Sequence, residues 1–469
     1  MELDLNSDEN KRSINFYGGG LGAIIPFLVF VGGVITIALS GAPDERGFWP
    51  VLILALAVGL GLAKDRKAYS ETVIEGMSNK IVMIMITAWI LASTIGILMQ
   101  ITGFVDALIW ISAELNLYGG SFAIATFVIC CIVSLSTGSS FATILICAPL
   151  LYPTGGQLGV HLPTLAGAII GGATVGDFIA PVSDTTIVSA LSQKAEMGAT
   201  VKSRVKYILP VALLALLAYG LSAGVATNQF DKGSWVVEGD PSGLPMLLVP
   251  ALIIFLFLKG KHLFIGLLTG LMFGIALGLA LGLLPIDKLI SLDLENFTAK
   301  SFIIDGINRA VGISFFTILL MGLVATLKAS GLINRLVDYA SIRSKTKRQS
   351  EYWITGAISA AVLLTTHSAV AILMVSEFAN KTGEKMGLSN TRRANLLSLV
   401  ACTFPFLLPY FIPVILMTNM SHSGEEFGVP SVTPLEIGLF NFVSWGLLVM
   451  VILVVIFGYG RKEKAKPNE

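Results

Sequence analysis

GGATVGDFIAPVSDTT, residues 171–186, places two aspartates, Asp177 and Asp184, among three glycines and a proline. The chain around it is 54% hydrophobic and 13% charged over 469 residues, with mean hydropathy +0.81. Soluble domains are near a quarter charged. Many segments also approach or exceed the ~18 apolar residues that span a bilayer. These observations exclude a soluble enzyme and imply an all-α polytopic membrane protein in which 171–186 lies at membrane depth. Net charge is +1, so no electrostatic footprint for nucleic acid arises. Cys130, Cys131, Cys147 and Cys402 sit in apolar stretches without metal spacing, and His161, His262, His367 and His422 form no zinc pattern. The polar start has no apolar run with a cleavage site, which argues against a cleaved signal peptide.

Outward from 171–186, apolar spans fall at about 19–41, 47–63, 80–101, 119–152, 162–192, 205–226, 243–259, 262–284, 301–328, 351–378, 395–420 and 436–459. Two of them are interrupted by polar clusters: STGSS at 136–140 and TTHS at 365–368. GFVDALI at 103–109 resembles GLINRLV at 331–337, an offset of 331 − 103 = 228. STGSSFATIL (136–145) aligns with LTTHSAVAIL (364–373), and Pro181 with Pro409, at the same 228. We therefore expect two transmembrane repeats, 19–226 and 243–460, joined by an extracellular linker at 227–242. Short tails, 1–18 and 461–469, flank them.

Lys and Arg concentrate near the N-terminus, after the second and fifth spans, at 259–262, 341–350 and 379–394, and in the C-terminal tail. Such segments stay cytoplasmic, so both tails are expected inside a cell (inner) membrane. Both ends of 119–152 then fall outside and both ends of 351–378 inside. Each is expected to be a re-entrant hairpin with its polar cluster at the tip; two plain crossings with a charge-rule exception are the alternative. Five crossings plus one hairpin per half inverts the second half, and inverted repeats with broken helices are a transporter architecture.

Within 171–186, the glycines weaken a helix and Pro181 breaks or kinks it. Broken backbone at membrane depth is tolerated against protein or a watery cavity, where freed carbonyls can act as ligands. Ser183, Thr185 and Thr186 add hydroxyls, and Asp177 and Asp184 add carboxylates. A hard cation takes oxygen ligands, so the segment is a candidate Na⁺ site at Asp177 and Asp184. Burial penalises a charged carboxylate, so a proton and Na⁺ can compete for it. Asp184 can alternatively cap the helix that follows. Ser136, Thr137, Ser139 and Ser140 at the first tip, and Thr365, Thr366, His367 and Ser368 at the second, are expected substrate contacts. Asn395, Thr403 and Asn419 are further polar candidates, while Arg309 is expected to snorkel.

GDFIAPVSDTT, following an STGSS-like tip, resembles the NhaC family of Na⁺/H⁺ antiporters, whose pattern is close to GD-x-x-(S/A)-P-x-SDTT. Ala180 stands where many members have Ser, which removes one hydroxyl. The resemblance implies paired re-entrant hairpins, a scaffold holding 80–101 and 301–328, elevator-type motion and a homodimer. It implies Na⁺/H⁺ antiport with no cofactor beyond the transported Na⁺ and H⁺. The family also includes malate/lactate antiporter-like members, so coupled exchange of a small organic solute is the alternative. An intramembrane aspartyl protease requires Gly-x-Gly-Asp and a second aspartate on another helix; this chain has Thr174-Val175-Gly176-Asp177, with Asp184 only seven residues on. A channel fits inverted repeats less well than alternating access does.

Overall fold

In the computed structural model the described residues are 13–39, 45–181, 183–225, 239–259, 261–293, 298–332 and 346–461, with Arg335 and Tyr339. Residues 1–12 and 462–469 of the tails and most of the 227–242 linker lie outside that set, as do four residues of the 331–337 stretch.

Helices dominate. They are α1 (Gly20–Leu39), α2 (Trp49–Leu62), α3 (Arg66–Met77), α4 (Lys80–Ile101), α5 (Phe104–Glu114), α6 (Gly120–Thr137), α7 (Ser140–Gln157), α8 (Leu162–Ile179), α9 (Asp184–Ser192) and α10 (Met197–Val225). There follow α11 (Leu248–Leu258), α12 (Leu263–Ala280), α13 (Ile286–Leu289), α14 (Phe302–Ala329), α15 (Lys347–Thr365), α16 (Ser368–Lys385), α17 (Asn390–Ala401), α18 (Ile412–Ser421), α19 (Pro434–Phe440) and α20 (Phe442–Ile456). Among the described residues six spans are long and apolar enough to cross a membrane, or seven if α19 and α20, bent by 58°, are one span.

Two elements depart from the expectation. A two-stranded antiparallel pair, β1 (Ser291–Asp293) with β2 (Thr298–Lys300), interrupts the all-α pattern. The basic segment after the second span is helix α3 rather than a loop. Asp65 starts it by accepting the Lys67 and Ala68 amides at 3.0 Å each, the ordinary N-cap arrangement. Gly76 then lets α3 lie against Met321, Gly322 and Ala325 of α14.

Helix boundaries recur at the 228-residue offset. Moved by 228, α6 becomes 348–365 against 347–365 for α15, and α7 becomes 368–385, the bounds of α16. The start of α8 moves to 390, where α17 starts, and α9 moves to 412–420 against 412–421 for α18. The turns between the arms correspond as well. Gly138 ends α6 in the left-handed region at φ 65°, and Thr366 does so after α15 at φ 54°. A β-branched residue there is an outlier; only glycine adopts it without strain.

Lipid tails are as apolar as leucine, so helices in a membrane hold together by close packing and interhelical hydrogen bonds. The glycines of 171–186 serve that purpose. Helix α8 runs unbroken through Gly171, Gly172 and Gly176, despite their low helix propensity, and ends at Ile179. A Cβ on Gly172 would meet Phe127 O and Cys130 of α6, one on Gly176 would meet Cys131 O, Ser134 and Leu135 N, and one on Gly171 would meet the Tyr219 hydroxyl of α10. Ser134 Oγ donates to Ala173 O at 2.6 Å across the same seam. The backbone breaks only at Pro181, whose ring cannot continue the helix.

Candidate functional site

Asp177 lies in the last turn of α8 and is 5% exposed. The first tip reaches it: Ser140, the first residue of α7, donates its hydroxyl to Asp177 Oδ2 at 3.2 Å. The other carboxylate oxygen, Oδ1, is buried without a hydrogen-bond partner among the described residues. Such an oxygen is costly unless a proton, a cation or water meets it.

Asp184 is placed differently. It is exposed, at the first position of α9, so the expectation of two buried aspartates is met by Asp177 alone. Its Oδ1 accepts the Thr185 amide at 2.6 Å. Ser183, not Asp184, occupies the cap position, and it makes no side-chain cap bond. Ser183 Oγ instead pairs with Thr185 Oγ1 at 2.9 Å, both buried.

The carbonyls at the break are largely satisfied by the protein. Ala180 N donates to Gly176 O at 2.9 Å and to Asp177 O at 3.3 Å, Ser183 N donates to Ala180 O at 3.3 Å, and Arg204 takes Phe178 O at 3.0 Å. Ser140, Asp177, Ser183 and Thr185 add side-chain oxygens at the break.

Arg204, one of the basic residues after the fifth span, is a site residue that the charge pattern did not single out. It is fully buried within α10. Nε donates to Asn395 Oδ1 at 3.1 Å. Nη1 donates to Phe178 O at 3.0 Å and Thr186 Oγ1 at 2.6 Å. Nη2 donates to Ser189 Oγ at 2.8 Å and Ser398 Oγ at 2.6 Å. Thr186 is thus drawn into holding Arg204. Thr200, Arg204, Tyr207, Val211, Ala215, Tyr219 and Ala223 are all buried. Their three- and four-residue spacing marks one helix face, the signal that distinguishes Arg204 from exposed Lys202. Arg392 and Arg393, within the basic stretch 379–394, are each 2% exposed.

At the second tip His367 caps α16 without a side-chain bond, and its Nδ1 is buried without a hydrogen-bond partner. Ser368 Oγ donates to Ala401 O at 2.7 Å, so this tip holds the end of α17 as Ser140 holds the end of α8. Thr365 Oγ1 donates to His367 O at 3.3 Å and Thr366 Oγ1 to Thr365 O at 2.8 Å. At the first tip Ser139 caps α7 through the Ala142 amide at 3.2 Å, and Thr137 Oγ1 lies 3.3 Å from Ser139 O. The Ser136 side chain lies outside the described set. The Arg309 side chain is 13% exposed and pairs with half-exposed Glu426 at 3.2 Å, beside a cavity of about 420 Å³ shared with His422 and Glu425.

The site is therefore a buried carboxylate at a helix break, met by the tip between two helices inside an apolar helical bundle. The comparisons agree with the resemblance read from the sequence. Residues 22–223 match the profile of the Na⁺/H⁺ antiporter family. Over 254 residues, 51% of this chain and 53% of the relative, the chain is 24% identical to the malate-2H⁺/Na⁺-lactate antiporter of Bacillus subtilis (strain 168). Over 65 residues, 14% of each, it is 45% identical to the Na⁺/H⁺ antiporter NhaC of Alkalihalophilus pseudofirmus. The chain thus spans about half the length of the first relative and a shorter stretch of the second.

Proposed function

We propose that this chain is a secondary antiporter of the cell membrane that exchanges Na⁺ for H⁺ at Asp177. The observation that carries the reading is the buried Asp177 Oδ1, without a donor among the described residues, beside a broken helix and a hydroxyl-bearing tip. A proton on that oxygen removes the cost of burying a charge; Na⁺ removes it as well, and takes further oxygens as ligands. Ser140, Ser183 and Thr185 supply nearby hydroxyls, and exposed Asp184 supplies a carboxylate at the mouth of the break. Since the two ions compete for one oxygen, entry of Na⁺ expels the proton.

Alternating access is read as motion of two inverted halves, with both tails cytoplasmic and the molecule a homodimer. The recurrence of helix boundaries at 228 supports two related halves; their inversion rests on the distribution of Lys and Arg. A second reading, coupled exchange of a small carboxylate, is favoured by His367 Nδ1, which has no partner among the described residues, and by the exchange for which the Bacillus relative is named.

The test is reconstitution in liposomes with a trapped pH dye. Addition of Na⁺ alone should move protons, and Asp177→Asn should abolish the signal in protein that is still folded. A response only in the presence of an organic acid selects the second reading. Exchange that survives intact in Asp177→Asn removes Asp177 from the mechanism.

A further inference from the structure

The Arg204 guanidinium is buried, and all five of its N–H groups are bonded, each to a neutral acceptor. None of the ion pairs among the described residues includes it. A buried cation held by neutral groups alone carries a desolvation cost that those groups only partly offset. Its hydrogen bond to Phe178 O places the guanidinium one residue from Asp177, whose Oδ1 has no donor. The guanidinium also stacks on the Phe178 ring, with Cζ 5.2 Å from the centroid. The other titratable groups around this junction are Asp184, exposed at the start of α9, His367 at the second tip and Cys402 at the end of α17.

Both its bonds and its charge bear on the break. The bonds join the end of α8 (Phe178), α9 (Thr186 and Ser189) and α17 (Asn395 and Ser398), and Ser398 Oγ lies 2.8 Å from Ser189 Oγ within the same network. We propose that Arg204 is a positioning residue for exchange: its bonds hold the two pieces of the broken helix in register across Pro181, and its fixed charge is the counter-charge of Asp177 when that carboxylate is empty. The proposal rests on Asp177 being the exchange carboxylate.

With Arg204 as counter-charge, the empty site is a neutral pair and need not be filled in order to persist. The guanidinium also repels an arriving cation, which keeps bound Na⁺ releasable. A group that merely braced the fold would have neither effect.

The test uses the full chain in detergent with Arg204→Gln, Arg204→Lys, Asp177→Asn and the Arg204→Gln/Asp177→Asn double variant. Thermal midpoints come first, and they require no transport. Counter-charge pairing predicts that Asp177→Asn lowers the midpoint by stranding the guanidinium, and that adding Arg204→Gln recovers part of the loss. Additive losses overturn the pairing. Calorimetric titration with Na⁺ at alkaline pH, where protons no longer compete, follows. Arg204→Gln should bind Na⁺ more tightly, on the order of tenfold, because a nearby positive charge is gone. Arg204→Lys should stay close to wild type in affinity while losing turnover, because it keeps the charge and loses the fork. Unchanged Na⁺ affinity in folded Arg204→Gln overturns the proposal. If wild-type protein exchanges no cation, the functional reading fails, and the midpoint cycle alone decides whether Arg204 and Asp177 are a pair.

Discussion

Substituting Gly176 by Ala tests the seam that positions Asp177. The new Cβ would lie 2.5 Å from Cys131 O, 2.5 Å from Ser134 Cβ and 2.6 Å from Leu135 N, against an ordinary contact of 3.4–4 Å. These are atoms of α6 near its C-terminal end, not the far end of a flexible side chain. Accommodation therefore requires α6 to retreat by about 0.9 Å, the difference between 3.4 and 2.5 Å. Overpacking of this kind costs ~1–3 kcal/mol, offset by the ~0.5–1 kcal/mol by which Ala outranks Gly in a helix. The first tip follows Leu135 by only a few residues. If it moves with α6, the 3.2 Å bond from Ser140 to Asp177 lengthens beyond hydrogen-bond reach. Gly356→Ala is the control, because Gly356 lies within α15 with nothing within 4 Å of its would-be Cβ; there only the helix gain of ~0.5–1 kcal/mol remains. Thermal midpoints in detergent should fall for Gly176→Ala and rise for Gly356→Ala, and proton flux in liposomes should fall for Gly176→Ala alone. Equal or opposite shifts in midpoint would refute the account of why α8 carries glycine there.

Two further outcomes follow from the packing. Glu351 is fully buried and holds Arg392 Nε at 2.9 Å and Arg461 Nη2 at 2.5 Å. Glu351→Ala should lower the thermal midpoint by the equivalent of ~3–5 kcal/mol, the cost of stranding a buried partner, and adding Arg392→Met should recover part of it; a loss below ~1 kcal/mol would show that the Arg392 bonds to Tyr207, Val454 and Tyr459 suffice. Thr366→Gly removes a β-branched side chain from φ 54° and should raise the midpoint by the equivalent of ~1 kcal/mol; a fall would mean that the Thr366 hydroxyl on Thr365 O matters more than the strain.

Much of this arrangement was legible in the residues. STGSS and TTHS fall at helix-to-helix turns because each polar cluster interrupts a run otherwise long enough for two helices. Pro181 and the prolines at 405, 409 and 413 fall where helices end or start, since a ring nitrogen cannot donate. What could not be read is which backbone polar groups are already satisfied. The carbonyls at the break looked free, yet most are taken by neighbouring amides and by Arg204. Composition likewise treats Lys202 and Arg204 as one basic cluster, although they face opposite environments two residues apart. Glycines read as weakening the helix are contact points, because local propensity carries no information about the helix on the other side of the seam.

The two tips bear on why charge sits in only one half. Position for position, Ser140 and Ser368 both donate to the end of the following broken helix, the first to a carboxylate and the second to a backbone carbonyl. Ser139 caps α7, whereas His367 at the matching position leaves its cap unmade and its Nδ1 unpartnered. At the same offset Asp177 faces Pro405, and a 3-10 turn at Phe404–Phe406 replaces the end of the helix. A carboxylate there would be a second buried anion, and Arg204 is already fully bonded. If Arg204 balances Asp177 as proposed above, a second buried anion in the other half would have no such partner and would carry its full desolvation cost. The matching turn of the second half thus offers hydroxyls and one histidine nitrogen where the first half has a buried carboxylate.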